Sequence, residues 1–177
     1  MKILSYAGIG SRNTPDEVCN AMIYFAISLS EHWTLRSGFA AGADKAFFAG
    51  AAFGKGDMKM FIPWEGFNNA PRNDSRFVVP TMTPALLELA KRYHPAWDRC
   101  GLGAQKLHAR NGCQVLGEDL RSPADMIVCW TVGGRGQGGT GQAIRIARDN
   151  NIPVFDLAIS GALEAAAEFT AKLNFGR

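Results

Sequence analysis

The sequence has no long apolar run. No stretch approaches the roughly 20 consecutive apolar residues that a membrane-spanning helix needs. The first predicted strand begins within the first few residues, so we expect no signal peptide. The four cysteines, Cys19, Cys100, Cys113 and Cys129, include no C-x-x-C pair and no paired zinc spacing. We therefore expect reduced, buried thiols and a cytoplasmic protein that does not engage a membrane.

Net charge is also low. Charged residues make up 20% of the chain and hydrophobic residues 47%, and the net charge of +3 does not by itself imply a nucleic-acid partner. The length of 177 residues, without an internal repeat or low-complexity tail, predicts a single domain over residues 1–177. Basic residues concentrated in the middle third form either a phosphate-facing surface or an ordinary solvated face. They are Arg72, Arg76, Lys91, Arg92, Arg99, Lys106 and Arg110.

The usual nucleotide signatures are missing. A G-x-G-x-x-G pattern would follow the first strand, and Gly8 and Gly10 fit it, but the third position is Asn13. The Walker pattern, with its Lys and Ser or Thr after glycine, is absent as well. These absences argue against a dinucleotide or a triphosphate bound in the familiar way.

Evident catalytic machinery is missing too. No histidine has an aspartate or nucleophile at a fixed offset, and no His, Cys and Asp group has metal-ligand spacing, so we expect no metal and no cofactor. The glycine-rich loop carries Gln137 and Gln142 but no carboxylate that could act as a general base. Acids from elsewhere in the chain remain available: Asp44, Glu65, Glu118 and Asp119.

Short apolar runs alternate with helical patterns, which predicts an α/β sandwich with a mostly parallel sheet. The predicted strands are Ile3–Ala7, Trp33–Ser37, Met58–Trp64, Ala124–Thr131 and Ile152–Leu157. The predicted helices are Pro15–Glu31, Ala43–Phe53, Pro84–Tyr93, Leu102–Leu120 with breaks at Gly112 and Gly117, Gln142–Asp149 and Gly161–Leu173. Thr14 and Glu17 are predicted to form a capping box on the first helix. Residues 65–79 are predicted to form a long loop.

Three turns rich in small residues each lie between a strand and a helix. They are Gly8–Arg12, Ser37–Asp44 and Gly133–Gly141, and the last contains six glycines. In a parallel sheet such turns meet at the carboxyl ends of the strands, where α/β folds bind ligands. A glycine-rich turn that leads into a helix directs free N–H groups and the positive dipole end at one point. The pattern therefore predicts a phosphate site.

Several polar residues in these turns have two interpretations each. Arg12 is placed for bidentate contact with phosphate or for a surface salt bridge. Ser11 and Ser37 either donate hydroxyls to a ligand or cap local structure. Asp44 either accepts from a ribose hydroxyl or stabilises a helix dipole, and Arg110 either reaches the same edge or is an ordinary exposed side chain. Aromatic stacking on a base is the alternative to a core position for Trp64, Trp97 and Trp130.

The same segments resemble a known family. Ser5–Arg12, Arg36–Asp44, Arg110–Asn111 and Gly138–Ala143 are similar, in the same order, to motifs of the DNA-processing protein A (DprA) group. That group belongs to the SLOG superfamily, which also contains cytokinin-activating phosphoribohydrolases and sensors of nucleotide-derived signals. The resemblance spans roughly residues 3–158 and implies a Rossmann-like three-layer sandwich. The compact chain resembles the small, often phage-encoded members, and the resemblance favours a homodimer or larger homo-oligomer.

The resemblance also implies a ligand. The DprA group binds single-stranded DNA in a basic pocket and loads a recombinase onto it, whereas sensor members bind ADP-ribose-like nucleotides. With the glycine turns included, the predicted ligand-binding set is Gly8, Gly10, Ser11, Arg12, Ser37, Gly38, Asp44, Arg110, Asn111, Gly138, Gly139, Thr140 and Gly141.

Two departures from the superfamily pattern qualify this expectation. Ala143 occupies the position of the glutamate that phosphoribohydrolases carry three residues after their motif threonine. Phe39 stands where a second glycine is expected after Gly38, so it either narrows the backbone approach or offers a stacking face. The segment from about 65 to 105 is long for the minimal fold and is expected to form a lid or an oligomer contact. We therefore expect a binder of a phosphate-rich nucleotide rather than an enzyme, the alternatives being a nucleotide hydrolase and a DNA recombination mediator.

Overall fold

A computed structural model describes residues 3–175, so the ends of the predicted 1–177 domain lie outside the described residues. These residues form a six-stranded, all-parallel sheet in the order β4-β3-β2-β1-β5-β6. The strands are β1 Leu4–Gly10, β2 Trp33–Ser37, β3 Met58–Phe61, β4 Phe77–Val78, β5 Met126–Trp130 and β6 Val154–Asp156. The helices are α1 Asp16–Leu29, α2 Ala43–Phe53, α3 Pro84–Tyr93, α4 Leu102–Leu116, α5 Gly138–Asp149 and α6 Ala162–Phe175. The predicted Rossmann-like α/β class is confirmed.

The central strands explain why helices cover both faces of the sheet. In β1, Tyr6 belongs to one apolar cluster and Ala7 to another, because successive side chains of a strand point to opposite faces. The Tyr6 cluster contains residues of α1 and α2 and one of α6, and the Ala7 cluster contains residues of α4 and α5. A third cluster joins Leu86 and Ala90 of α3 to α4. The result is the predicted three-layer sandwich.

Several local predictions are wrong. Pro15 rather than Thr14 is the N-cap of α1, with no side-chain capping bond, because the Thr14 hydroxyl donates to the Ser11 carbonyl at 2.7 Å. Gly112 does not break α4; a Cβ there would lie 2.8 Å from Leu89 Cδ2, so this glycine lets α3 approach α4 closely. Gly117 does end that helix, with φ +79°.

The structure also adds a short strand and shifts the ends of predicted elements. The long loop predicted for residues 65–79 contains the short strand β4, which pairs with β3 through Met60 and Phe61. Strand β3 ends at Phe61 instead of Trp64, and α5 begins at Gly138 instead of Gln142. Turn-forming residues around β4 hid its short apolar pair from a pattern-based prediction.

The cysteines are free thiols, but not all of them are buried. Cys113 and Cys129 are buried, as expected, whereas Cys19 and Cys100 are half-buried. Burial raises the pKa of Cys113 to about 12. Within residues 3–175, every helix is too short or too polar to cross a bilayer.

Candidate nucleotide-binding cleft

The strand order reverses direction between β1 and β5, and a cleft lies there at the carboxyl ends of the strands. Its volume is about 560 Å³. A parallel sheet leaves a crevice at such a point, because the connections from the two neighbouring strands leave in opposite directions. The cleft is lined by the turn after β1, the start of α2, the middle of α4 and the start of α5.

Most of the predicted binding set lines this cleft. Its lining includes Gly10, Ser11, Arg12, Asp44, Arg110, Asn111, Gly138, Gly139 and Thr140. Three turns and one helix that are far apart in the sequence therefore meet around one space.

Four residues of the predicted binding set pack behind the cleft instead of lining it. They are Gly8, Ser37, Gly38 and Gly141. A Cβ at Gly8 would lie 2.6 Å from the Phe47 ring, and the Ser37 hydroxyl donates to the Gly8 carbonyl at 2.6 Å. A Cβ at Gly38 would collide with the Arg110 guanidinium, and one at Gly141 with the Gly136 carbonyl. These residues determine the shape of the walls rather than contact the cleft.

An ion pair lies in the wall beside α2. Arg110 Nη2 is 3.9 Å from Asp44 Oδ2, and both side chains are buried. The Ala40 N–H donates to the same carboxylate oxygen at 3.2 Å. Burial raises the pKa of Asp44, and Arg110 offsets part of that shift; burial lowers the pKa of Arg110, and Asp44 offsets part of that one. The pair places one buried charge of each sign beside the cleft.

A chain of amides fixes α4 against its neighbours. Asn111 Nδ2 donates to Gln142 Oε1 at 2.9 Å and to the Gly139 carbonyl at 3.2 Å, and Gln142 Nε2 donates to the Ala90 carbonyl at 2.9 Å. Gln114, with its amide oriented to suit its neighbours, accepts from Gly38 N at 3.0 Å and from Arg110, and donates to Asn111 Oδ1 at 3.2 Å. Gln114 and Gln142 were not predicted as site residues, and no residue-type pattern marks them.

The turn after β1 uses Ser11 locally and leaves Arg12 exposed. Ser11 N donates to the Trp130 carbonyl at 3.0 Å, and Ser11 Oγ accepts from Asn13 N at 3.1 Å. The turn is thereby held to β5, while the Arg12 side chain lies at the rim of the cleft.

The glycine-rich loop is held at its base by an acid that sequence reasoning missed. Asp156, at the end of β6, accepts from the Thr131 backbone N–H at 3.0 Å and from the Thr131 hydroxyl. The same Thr131 oxygen accepts from Gly136 N at 3.0 Å. Gly133, Gly134, Gly136 and Gly138 have φ between +60° and +70°, a backbone conformation that side chains disfavour. The clue in the sequence was an acid at the end of the last predicted strand.

Phe39 was expected either to narrow the backbone approach to the cleft or to offer a stacking face, and it does neither. Its φ is +61°, in the left-handed region that glycine adopts most easily. Its ring is buried against Phe48 and Phe77, with centroids 4.9 and 4.8 Å away. The side chain therefore neither narrows the cleft nor stacks on a ligand.

None of the tryptophans lines the cleft within residues 3–175. Trp130 packs against the core, Trp64 against Phe67 and Trp97 against His94. Of the basic cluster in the middle third, Arg110 alone lines the cleft, and Arg76 pairs with Asp74 at 2.6 Å.

The far side of the cleft carries a group of residues that linear spacing did not reveal. His108 lines the cleft from α4, and its ring centroid lies 4.1 Å from that of His94. Cys100 Sγ is 3.9 Å from both ring nitrogens of His94. Burial, and next His94, lower the pKa of His108. Ala143 is buried and also lines the cleft, so that position supplies no carboxylate.

The fold is a Rossmann-like α/β sandwich, with the cleft at the switch point of its parallel sheet. The chain is similar in structure to DNA processing protein A (DprA) from Streptococcus pneumoniae, with a TM-score of 0.50 and 13% sequence identity. The likeness covers 94% of this chain and 56% of that one, and at this identity it establishes the fold. No protein-family model matches the chain, and no curated protein matches it.

Proposed function

We propose that the cleft binds a phosphate-bearing nucleotide, a small nucleotide-derived signal, without cleaving it. One observation carries the proposal: the exposed Arg12, the N-terminus of α5 and the Asp44–Arg110 pair all open onto one cleft at the switch point of the sheet. These are groups that recognise phosphate and ribose, and they come from separate parts of the chain.

The backbone supplies part of the anion site. The first N–H groups of an α-helix have no partner inside the helix, and the helix dipole adds a partial positive charge there. At the start of α5 these N–H groups belong to Gly138, Gly139 and Thr140, which all line the cleft. Without side chains at the two glycines, phosphate oxygens have close access to the backbone.

The side chains supply charge and a hydroxyl acceptor. Arg12 at the rim presents a guanidinium fork suited to phosphate. Arg110 is buried, and its Nε has no partner among the described residues, a state typical of polar groups that a ligand helps to satisfy. The Asp44 carboxylate is suited to a ribose hydroxyl. A volume of about 560 Å³ matches a small ligand rather than a polymer groove.

The proposal extends to the class of protein, its compartment and its oligomeric state. We propose a compact SLOG-type protein of the small, phage-like kind, with one domain over residues 1–177. The free thiols of the half-buried Cys19 and Cys100 support a reducing, cytoplasmic setting. A homodimer or larger homo-oligomer without a membrane partner completes the proposal.

Single-stranded DNA is the second candidate, because the similar solved structure is named as a DNA-processing protein. Exposed arginines beside the cleft, Arg12 and Arg135, would favour a polyanion. DNA binding would strengthen with strand length and weaken steeply as salt rises, because bound phosphates release counterions.

Hydrolysis of a nucleotide is the third candidate, since Asp44 is a buried carboxylate with a raised pKa at a cleft wall. A carboxylic acid at that position is a candidate proton donor to a leaving group. Release of free base or phosphate, abolished in Asp44→Asn, would establish it.

The deciding experiment compares ADP-ribose-like nucleotides, cyclic nucleotides and short single-stranded DNA by thermal shift and calorimetry. We expect one small nucleotide to saturate the protein and to stabilise it by about 2.7 kcal/mol at a hundredfold excess over Kd. Arg12→Ala should weaken binding by roughly 10- to 100-fold, the loss of a charge-assisted hydrogen bond. Arg135→Ala is the matched control, because Arg135 is exposed in the glycine-rich loop but does not line the cleft.

Equal weakening by both substitutions, together with steep salt dependence and binding of DNA alone, would replace the proposal with the DNA candidate. Binding of neither class would refute both.

A further inference from the structure

Two histidines and a cysteine from three separate segments converge beside the cleft. His94 follows the end of α3, Cys100 follows a short 3₁₀ turn, and His108 lies in α4. One ligand atom from each lies within 4.8 Å of the others, and all three residues are half-buried. Their separation in the sequence explains why no spacing motif is visible.

The polar atoms of this group are only partly satisfied. His108 Nδ1 is buried and has no hydrogen-bond partner among residues 3–175. His94 Nδ1 accepts from the Ala96 N–H at 3.1 Å, and the Cys100 thiol donates to the Ala96 carbonyl at 3.5 Å. Packing of apolar side chains would not require two imidazoles and a thiol to face one another with a buried nitrogen left over.

We propose that His94, Cys100 and His108 bind a divalent transition-metal ion of the zinc class. Imidazole nitrogen and thiolate sulfur are the ligands that zinc prefers, whereas magnesium and calcium require oxygen ligands. Metal binding converts the Cys100 thiol to a thiolate, releases one proton to solvent and ends the contact of that thiol with Ala96. The metal also gives the imidazoles a partner. No nucleotide is required for this site.

Three protein ligands leave a fourth tetrahedral position for water or an exogenous ligand. His108 also lines the cleft, and its Cε1 lies 3.9 Å from the place where a Cβ of Gly139 would be. The metal site is therefore adjacent to the glycine-rich loop.

The test uses the whole chain, stripped of metal with a chelator and then titrated with Zn²⁺ and with Co²⁺. We expect one equivalent of Zn²⁺ to bind in competition with a chromophoric chelator. Co²⁺ should give a tetrahedral absorption spectrum with a thiolate charge-transfer band. Cys100→Ser should abolish that band and weaken Zn²⁺ binding by on the order of 100-fold, because one of three ligands is lost. His108→Ala should weaken Zn²⁺ binding similarly.

The chain offers matched controls. Cys19→Ser changes another half-buried thiol, and His32→Ala changes an exposed histidine beside Glu31. Both variants should bind Zn²⁺ like the parent protein. Thermal melting of each variant in the absence of metal establishes that it is folded.

A second measurement needs no substitution. Zn²⁺ should protect Cys100 from alkylation while leaving the rate at Cys19 unchanged, as read by peptide mass spectrometry. The proposal is overturned if Zn²⁺ does not bind stoichiometrically, if Cys100→Ser and His108→Ala bind it unchanged, or if Cys100 remains reactive with Zn²⁺ bound.

Discussion

The two walls of the cleft are built in opposite ways. The wall beside α2 consists of buried side chains, with Asp44 and Arg110 paired and Gln114 packed against Gly38. The wall beside α5 consists of exposed backbone, with Gly138 and Gly139 facing open space or ordinary van der Waals contact. One wall is already filled by the protein's own side chains, and the other is left open.

The two walls are therefore expected to have different roles. Buried side chains cannot rearrange cheaply, so the α2 wall fixes the position and charge of Arg110 before any ligand arrives. The open wall offers N–H groups that a phosphate can approach without a conformational change. Substitutions on the two walls should therefore separate effects on folding from effects on binding.

The largest effect should come from Gly38→Ala, on the filled wall. The added methyl group would collide with the Arg110 guanidinium and lie 2.5 Å from the Gln114 side-chain amide. We expect the free energy of unfolding to fall by about 3–5 kcal/mol, because overpacking displaces one partner of a buried ion pair. Denaturant unfolding measures the loss.

Gly103→Ala is the control for this change. It adds the same methyl group at an exposed position in α4, where the nearest contact is Trp64 at 3.8 Å, and should leave stability unchanged or slightly higher. A Gly38→Ala protein as stable as the parent would mean that the α2 wall can yield, and the comparison between the walls would fail.

The next effect should come from Thr131→Val, which removes the anchor of the open wall. Valine keeps the shape but loses the hydroxyl that joins Asp156 to Gly136. We expect a loss of about 1–3 kcal/mol, because a buried carboxylate oxygen and a backbone N–H lose a partner. Hydrogen exchange at Gly136 should become faster. Thr34→Val in β2 is the matched control, and a Gly136 amide that exchanges no faster would show that the loop does not depend on this contact.

The sequence predicted the sheet and the three converging turns because both rest on local signals. Apolar runs such as Met126–Trp130 mark strands, and glycine-rich turns mark the carboxyl edge. Predictions failed where the partner was distant in the chain. Local spacing predicts Thr14 as the cap of α1, but its hydroxyl donates to the Ser11 carbonyl. Local spacing also predicts a helix break at Gly112, but that glycine makes room for α3.

The candidate site shows the same limit. Arg12 and Gly138–Thr140 are recognisable because their local context implies anion binding. Asp156 and the group formed by His94, Cys100 and His108 are brought together by tertiary structure alone. Phe39 illustrates a third case, in which a backbone requirement for positive φ is met by a bulky residue held in an aromatic cluster.

A smaller effect is expected in the pH dependence of folding stability, through Asp44 in the wall beside α2. Because burial raises the pKa of Asp44 above its ordinary value of 3.8, the native state binds its proton more tightly than the unfolded state. Its contribution to stability is present in full below pH 3.8 and is lost as pH rises through the raised native value. The Asp44→Asn variant has no ionisable group at this position. Between the unfolded and native pKa values of Asp44, the free energy of unfolding of the parent protein relative to the variant should therefore fall with rising pH, by up to about 1.4 kcal/mol per pH unit. Chemical denaturation from acid to neutral pH measures it, and a relative stability that rises with pH would show that Arg110 outweighs burial.

The smallest effect on folding should come from Gly139→Ala, on the open wall. A Cβ there would meet only His108 Cε1, at 3.9 Å, and alanine suits a helix, so stability should rise by at most about 1 kcal/mol. Nucleotide binding should nevertheless weaken, because the methyl group occupies the approach of a phosphate to the helix N-terminus.

Gly138→Ala is the contrasting variant, since its φ of +70° imposes a cost of about 1–2 kcal/mol even though space is open. Calorimetry and thermal melting on both proteins separate the two quantities: a Gly139→Ala protein that binds nucleotide as tightly as the parent would place the phosphate elsewhere in the cleft.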